Sequence, residues 1–480
     1  MARAMPSRIA VCLALALCLP ATLRSAPPPP TPEFFEANRE KLLAKLPPGS
    51  IAVFHARADS PADTRADAYR QDEDFWYLTG LEEPNAVAVL VAGAPKDSRY
   101  LLFVQPKDFA AEQWTGWRTG LDGAKKEYRA GQSYGVLEFW SRFPQLAAAA
   151  QELYYTTGGD KEFGRRLLET WNANNANVAA PRRAAEAGPA LATMRLVKEP
   201  VEIAQLREAS RLSAEAHRAA MAEVSPGRHE YDLKAAMVGL CLSGGAARMA
   251  YPPIVASGPN SVILHHERDD RKLENGDVIV NDTACEYGMY AADVTRTYPV
   301  SGTFSPEQRE IYDVVLAAQK AGFAAVKPGA SFHEVHDAAV AAVVDGLLRL
   351  GILAGNRDEI LRTRSYQRLF PHGTSHWLGL NVHDVGSYTF PWGMARLERY
   401  GAAQTKLEPG MVLTVEPGIY ITEHATADPK WWNIGVRIED DLLVTSSGME
   451  CLSCSAPRER EEVEKAVREG QTRRARRPAP

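Results

Sequence analysis

The stretch that most constrains this chain is residues 278–297, with the sequence VIVNDTACEYGMYAADVTRT. Side chains alternate in character from Val278 onward, and Asp282 continues the face that Val278 begins. A period of two is typical of a β-strand. Tyr287-Gly288 then supplies a turn, and Asp293 shares one face with the threonines of a return strand. The pattern therefore predicts a β-hairpin with one carboxylate on each of two facing strands.

Carboxylates in such a position need a positive partner, because burying an unpaired charge is costly. Arginine, lysine and a metal ion all meet that need. The hairpin alone does not distinguish them, so the choice depends on what the rest of the chain brings to the same place.

The composition sets broad limits on the class of protein. The chain has 480 residues, of which 45% are hydrophobic, and a formal net charge of −5. These values predict a globular protein of two or three domains with sizeable cores. The charge balance does not indicate nucleic-acid binding, and the one basic run, at residues 473–477, is expected to be a solvated, disordered tail.

Residues 1–26 resemble a secretory signal peptide. Arg3 and Arg8 give a positive start, and the apolar residues 9–19 are too few to span a bilayer. We therefore expect an exported protein, periplasmic or secreted, with no membrane span in the mature chain. The residues after the apolar segment do not define one cleavage site.

Strand and helix patterns alternate as far as residue 190 and indicate an α/β domain over residues 27–190. Residues 179–192, rich in alanine, arginine and proline, are a candidate linker. A second domain is expected over residues 191–460, and residues 461–480 are assigned to a helix end and the basic tail.

The second domain opens with an amphipathic helix that starts at Pro200. Capping boxes at Ser305 and Ser331 predict two more helices. Two long strands, over residues 412–421 and 436–444, are expected to close the domain.

Further candidate ligands lie in these closing segments. Glu416 and Glu439 each follow an apolar run in one of the two strands, and three histidines stand among glycines in residues 371–386. A neutral imidazole with four carboxylates suits two divalent ions, and oxygen-rich ligation favours Mn(II), with Zn(II), Co(II) or Fe(II) as alternatives. Any one of these residues is more often a cap or a surface charge. The repetition of the pattern within one domain is what favours a metal site.

Two other motifs are discounted. His333-Glu334-Val335-His336 lacks the spacing of a zincin helix and is expected on a helix surface. Cys451 and Cys454 lack two further zinc ligands, so a local disulfide or two plain thiols are expected.

The chain resembles the pita-bread metallopeptidases, and among them the aminopeptidase P and prolidase families, over nearly all of residues 40–460. The motifs that carry the resemblance are long and specific: ILH at 263–265, ADVTRTYPV at 292–300, HGTSHWLGLNVHDVG at 372–386, EPGMVLTVEPGIYI at 408–421, GVRIEDD at 435–441, and in the first domain YRQDEDFWYLTGLEEP at 69–84 and AEQWTGWRTG at 111–120. The resemblance implies an α/β (α+β) protein in which a creatinase/aminopeptidase-P-like domain precedes a pita-bread catalytic domain.

The resemblance also implies a set of site residues. The dimetal ligands would be Asp282, Asp293, His376, Glu416 and Glu439. A metal-bridging water would attack the scissile carbonyl, with Glu416 also acting as general base. The residues that bind substrate and stabilise the tetrahedral intermediate would be His265, His372 and His383, with Arg437 in electrostatic support.

The implied activity is removal of the N-terminal residue from peptides with proline second. Two alternatives stay open: a prolidase that cleaves Xaa-Pro dipeptides, and a non-catalytic pita-bread protein that only binds peptides. The first shares every ligand, whereas non-catalytic relatives typically lose ligands, and none is substituted here. The resemblance further implies a homo-oligomer, a dimer or tetramer. Trp114 would approach an active site across a subunit interface, or else pack in the core or on the surface.

Overall fold

The computed structural model of the chain describes residues 26–58, 69–175, 182–387, 398–399 and 406–476. The expected signal peptide therefore lies almost wholly outside the described residues. The first domain contains α1 (Pro32–Leu43), β1 (Ile51–His55), α2 (Glu73–Thr79), β2 (Val87–Val91), β3 (Tyr100–Val104), α3 (Phe109–Thr115), α4 (Gly120–Lys126), β4 (Gln132–Gly135), α5 (Phe139–Ala149), β5 (Leu153–Thr156), α6 (Lys161–Asn175), β6 (Ala184–Glu186) and α7 (Gly188–Leu196).

These strands form one mixed sheet in the order β4-β3-β2-β1-β5-β6. Its central strand β1 is buried on both faces, because Ile51 and Val53 pack into one core while Ala52 and Phe54 pack into another. Helices therefore cover both sides of the sheet. The candidate linker is partly wrong, since β6 pairs with β5 at the sheet edge and α7 begins two residues later.

The second domain follows directly. Its elements are α8 (Pro200–Glu223), α9 (Glu230–Ser243), β7 (Arg248–Met249), β8 (Ile254–Ser257), β9 (Val278–Asp282), β10 (Cys285–Tyr287), β11 (Tyr290–Ala291), β12 (Thr295–Pro299), α10 (Pro306–Ala325), α11 (Phe332–Arg349), α12 (Arg357–Thr363), β13 (Gly386–Ser387), β14 (Glu398–Arg399), β15 (Val412–Val415), β16 (Gly418–Ile421), β17 (Ile434–Arg437), β18 (Asp440–Thr445), β19 (Gly448–Cys451) and α13 (Arg460–Ala475). The Ser305 and Ser331 capping boxes are confirmed at the starts of α10 and α11.

The hairpin is confirmed, with a more elaborate tip than its sequence predicts. Strands β9 and β12 pair antiparallel with Asp282 opposite Thr295, and β8 pairs with the other edge of β9. At the tip, β10 and β11 form a separate three-stranded sheet together with β7. Asp293 precedes β12 rather than lying within it, so its side chain can turn toward Asp282 at the end of β9.

The two closing strands are each divided, contrary to the prediction of continuous strands. The first stops at Val415 and resumes at Gly418, and the second stops at Arg437 and resumes at Asp440. Strand β15 then pairs with β18, while β16 pairs with β17. The breaks coincide with Glu416 and Glu439, which frees their backbones from the ladder.

The chain end is more ordered than expected. Helix α13 continues to Ala475, so the first part of the basic run is helical. The Arg474 guanidinium donates to the carbonyl and carboxylate of Glu223 at 2.7 and 3.0 Å, which ties this end to α8. No helix among the described residues has the length and apolarity needed to cross a membrane.

Two disulfides cross-link the second domain. Cys241 of α9 bonds to Cys285 of β10, and Cys451 bonds to Cys454. The local disulfide was one of the two alternatives for the CxxC pair. The longer cross-link was not predicted, because the two cysteines are 44 residues apart and nothing in the sequence pairs them.

Arg296 is the buried cation that holds the hairpin to the end of the domain. It is fully buried and donates to Asp440 Oδ1 at 2.7 Å and to the Glu439 carbonyl at 2.6 Å. It also donates to the carbonyl of Pro457 at 2.9 Å. Arg296 thus pairs with Asp440, and neither hairpin carboxylate uses it.

We predict that Arg296→Met destabilises the second domain by about 3–5 kcal/mol, because Asp440 would remain buried without its arginine. The measurement is calorimetric unfolding of the full chain. Arg268→Met is the matched control, since Arg268 forms an exposed pair with Asp270 and such pairs contribute little. Equal effects of the two substitutions would contradict the prediction.

Candidate active site

Five acidic or imidazole side chains meet where the hairpin faces the broken strands. Asp282 ends β9, Asp293 precedes β12, and Glu416 and Glu439 lie in the two strand breaks. His376 comes from the segment alongside β15, where its carbonyl accepts the Thr414 N–H at 2.9 Å. These are the five residues predicted as ligands, and the structure brings all of them together.

His376 lies at the centre of this cluster. Its Nε2 is 3.2 Å from Asp293, 3.7 Å from Glu416 and 3.9 Å from Glu439. Its Nδ1 donates to the Trp377 carbonyl at 3.1 Å, which fixes the ring with Nε2 toward the carboxylates. Ligand atoms of Asp293, His376 and Glu439 all lie within 4.8 Å of one another.

The electrostatics of the cluster favour a cation. Burial and the charges of Asp293 and Glu416 raise the pKa of Glu439 well above its usual range. Desolvation and the Asp293 charge likewise raise the pKa of Glu416 to about 7. Burial alone would lower the pKa of His376, but its hydrogen bond with Asp293 and the Glu416 charge raise it to about 9.

The two carboxylate oxygens of Glu439 differ, because the outer oxygen has a donor whereas the inner oxygen has none. Thr295 Oγ1 donates to Glu439 Oε2 at 2.6 Å. Glu439 Oε1, which faces His376, is buried with no hydrogen-bond partner. A buried carboxylate oxygen without a donor is costly unless a cation takes that place.

Arg437 and Tyr251 contact the hairpin carboxylates from opposite sides. Arg437 donates to Asp282 Oδ2 at 2.7 Å. The Tyr251 hydroxyl is 2.6 Å from Asp282 Oδ1 and 2.7 Å from Asp293 Oδ1, so it bridges the two. Arg437 therefore pairs with one of the two hairpin carboxylates. The contact of Tyr251 with both carboxylates was not predicted.

His372 is held as a neutral ring. Its Nδ1 donates to the Gly373 carbonyl at 2.8 Å, and its Nε2 accepts from the Tyr420 hydroxyl at 2.9 Å. That hydroxyl accepts from Arg437 at 2.8 Å. Burial and the Arg437 charge lower the pKa of His372 to about 3. His372 Nδ1 is also 3.6 Å from Glu416, so the ring borders the cluster.

His265 and His383 lie on the open side of the site. Both line a cavity of about 620 Å³ whose floor includes Asp282 and Asp293. The His383 ring stands edge-on to His376, with ring centroids 4.3 Å apart. All three further histidines predicted at the site are therefore around the cluster, with His372 on its inner side.

One discounted motif differs from its prediction. His336 is buried rather than on the helix surface, and its Nδ1 is 2.8 Å from Thr374 Oγ1. The helix surface was expected because α11 begins at a cap, but the segment that carries His376 packs over this face.

Tyr251, Thr295 and Tyr420 are the site residues that sequence reasoning missed. Thr295 was placed on the correct hairpin face without a role. Tyr420 lies inside the motif at residues 408–421, so that motif could have indicated its place at the site. Tyr251 precedes Pro252-Pro253 and shows no pattern of its own.

An α/β domain followed by a domain with this enclosed acidic cluster is typical of metal-dependent peptidases. The model of metallopeptidase family M24 matches residues 204–446, and that of the aminopeptidase P N-terminal domain matches residues 35–155. The chain belongs to metallopeptidase family M24. Membership confirms the expected fold class and implies divalent metal ions at the site.

Similar proteins cover almost the whole chain. The chain is 38% identical to Xaa-Pro aminopeptidase of Escherichia coli over 90% of its own length and 96% of that relative. It is 36% identical to Xaa-Pro aminopeptidase of Haemophilus influenzae with the same coverage.

Solved structures give the same result. Pseudomonas aeruginosa aminopeptidase PepP has a TM-score of 0.86 at 37% identity, covering 92% of this chain and 99% of that one. Escherichia coli aminopeptidase P with the inhibitor Pro-Leu has a TM-score of 0.86 at 36% identity, covering 93% and 100%. The resemblance inferred from the motifs is confirmed.

We predict that Tyr251→Phe weakens divalent-ion affinity by roughly 10–100-fold, a typical cost of losing an outer partner of the ligands. Both aspartates would lose the hydroxyl that orients them. Calorimetric titration of the chelator-treated protein with Mn(II) measures the affinity. Tyr290→Phe removes another buried hydroxyl, bonded to Glu202 outside the cluster, and should leave the affinity unchanged. Unchanged affinity in Tyr251→Phe would refute this role.

Proposed function

We propose that the protein is an Xaa-Pro aminopeptidase, which removes the N-terminal residue from peptides with proline second. The observation that carries the proposal is the complete cluster of Asp282, Asp293, His376, Glu416 and Glu439, whose two aspartates line an open cavity. The similarity to Xaa-Pro aminopeptidases over 90% of the chain supports the substrate class.

The five residues suit two divalent ions as ligands. Glu439 Oε1 is buried and unpartnered, and His376 presents Nε2 toward three carboxylates. Oxygen-rich ligation supports Mn(II) as the natural metal. When bound, such ions polarise the substrate carbonyl and make a water nucleophilic at neutral pH. Mn(II) restoring more activity than Zn(II) or Co(II) to chelated protein would support this choice.

Glu416 is the proposed general base. Its side chain is 19% exposed and its raised pKa lies near neutrality, which suits taking a proton and releasing it again. It accepts a proton from the attacking water and delivers it to the proline nitrogen as the peptide bond breaks. The neutral His372 ring lies 3.6 Å from that carboxylate and does not compete for the proton.

His265 and His383 are the proposed donors to the tetrahedral intermediate. Both line the cavity, and preorganised donors of this kind typically contribute a few kcal/mol to transition-state stabilisation. Arg437 supports the site by anchoring Asp282 and the Tyr420 hydroxyl. Pro252, Ile254 and Val382 give the cavity an apolar wall suited to a proline ring.

A second cavity favours a peptide longer than a dipeptide. It has a volume of about 380 Å³, shares Tyr251, Pro252, Val382 and His383 with the first cavity, and reaches Arg57 and Arg70 of the first domain. This room beyond the proline supports an aminopeptidase over the prolidase alternative. The intact ligand set likewise disfavours a non-catalytic peptide-binding protein.

The test is product analysis with Xaa-Pro-Yaa and Xaa-Pro in the presence of Mn(II). We expect release of the free N-terminal residue from the tripeptide, at a higher kcat/KM than from the dipeptide, because the second cavity accommodates the third residue. Turnover of the dipeptide alone would make the protein a prolidase. Turnover of neither, without divalent-ion binding, would support the non-catalytic alternative.

Glu416→Gln is expected to lower kcat by roughly 10²–10⁴-fold, the usual contribution of a general base. The amide keeps the size of the side chain but accepts no proton. Steady-state kinetics with the tripeptide measure the loss, and Glu464→Gln, a buried glutamate far from the cluster that accepts the Phe304 N–H, is the control. A fully active Glu416→Gln enzyme would remove Glu416 from the mechanism.

We also propose a homo-oligomer, a dimer or tetramer. The first domain exposes several large apolar side chains, and exposed apolar surface of this kind marks interaction sites. They are Phe109 (71% exposed), Trp114 (90%), Trp117 (81%) and Leu137 (91%). Sedimentation of the wild type against Trp114→Ser tests the proposal, and a monomeric wild type would refute it.

Export to the periplasm or the medium is proposed on two grounds. The N-terminal residues have the pattern of a signal peptide. The Cys241–Cys285 and Cys451–Cys454 disulfides are typical of an oxidising compartment. N-terminal sequencing of the protein from fractionated cells is the test, and an uncleaved protein in the cytoplasm would contradict it.

A further inference from the structure

The loop that carries His383 is tied to the first domain through one buried arginine. Arg195, near the end of α7, donates to Asp74 of α2 at 2.7 Å and to Asp384 at 2.5 Å. Arg195 and Asp384 are both buried. The guanidinium therefore connects the first domain to the residue that directly follows His383.

Asp384 is held on several sides. Its N–H donates to the Trp377 carbonyl at 3.0 Å, and Lys198 Nζ donates to its carboxylate at 3.3 Å. A Cβ on Gly379 would lie 2.1 Å from the Asp384 carboxylate, so any side chain there would displace it. These contacts leave the backbone around His383 little freedom to move.

The apolar part of the same loop is also buried against the first domain. Leu378 and Leu380 belong to the core that contains Phe75 and Trp76 of α2. The Arg70 guanidinium donates to the Leu380 carbonyl. The position of the His383 ring relative to His376 thus depends on contacts that neither histidine makes itself.

We propose that Arg195 is a positioning residue for His383, through which the first domain sets the geometry of the active site. Arginine suits this position because its planar fork addresses two carboxylates at once, whereas lysine offers a point charge. A buried ion network is weak support for overall stability but can specify one arrangement. This inference rests on the proposed function, in which His383 stabilises the intermediate.

The test is a double-mutant cycle of Arg195→Lys with His383→Ala, measured on full-length protein loaded with Mn(II) and a Xaa-Pro-Yaa substrate. Lysine keeps the charge, so the fold should survive. In the wild-type background, we expect Arg195→Lys to lower kcat by roughly tenfold and to leave KM nearly unchanged. In the His383→Ala background, we expect Arg195→Lys to lower kcat by less than about twofold. Arg39→Lys is the control, because Arg39 is a buried arginine of the first domain that donates to the Leu78 and Tyr128 carbonyls rather than to Asp384.

Equal losses in both backgrounds would overturn the inference, because Arg195 would then act independently of His383. Hydrogen exchange of residues 378–386 is the second readout and needs no substrate. Faster exchange there in Arg195→Lys, but not in Arg39→Lys, is expected, and unchanged exchange would also overturn the inference. If Arg195→Lys does not fold, Asp74→Asn loosens the same contact from the other side.

A wild-type protein that hydrolyses no proline-second peptide would refute the proposed function and leave the exchange result to decide the role of Arg195. An active wild type with an additive cycle would refute the inference alone. The two failures are therefore distinguishable.

Discussion

Repulsion between like charges in a low-dielectric cleft is the constraint on which this structure depends. The carboxylates of Asp293, Glu416 and Glu439 approach the His376 imidazole within 4 Å. Arg437 donates to the neighbouring Asp282, the Tyr251 hydroxyl lies between the two aspartates, and Thr295 donates to Glu439. The inner oxygen of Glu439, Oε1 on the side of the imidazole, is buried without a hydrogen-bond partner. Such an arrangement is tolerable only with positive charge among the inner oxygens, which is why the same geometry that costs stability serves a metal-dependent peptidase.

The backbone meets this constraint by interrupting its own sheets. Glu416 and Glu439 lie where two strands stop and resume, and their N–H groups donate to Thr374 and Thr295 instead of to a ladder. A continuous strand would send alternate side chains to opposite faces and keep its backbone paired. The breaks turn both carboxylates inward, and Pro417 favours such a break because proline has no N–H to donate.

The sequence predicted those parts of the site that local patterns encode. Alternation around Asp282 predicted the hairpin, capping boxes predicted α10 and α11, and the family resemblance carried by long motifs implied all five residues of the cluster. What it did not predict are partners distant in the chain. Tyr251 and the Cys241–Cys285 disulfide act across tens of residues, and His336 is buried only because a remote segment packs over its helix. No periodicity within a helix or strand records such contacts.

The divided strands show a second limit of prediction from local sequence patterns. Residues 412–421 alternate well enough to be one strand, yet the strand stops at Val415, where Pro417 and the demand of the cluster act together. Local preference and the requirements of the site disagree at that point, and the site prevails, as is expected where function sets the geometry. Arg195 extends this reasoning to the first domain. An arginine that links Asp74 to Asp384 is unremarkable in sequence, yet it lets a domain without ligands influence the position of His383.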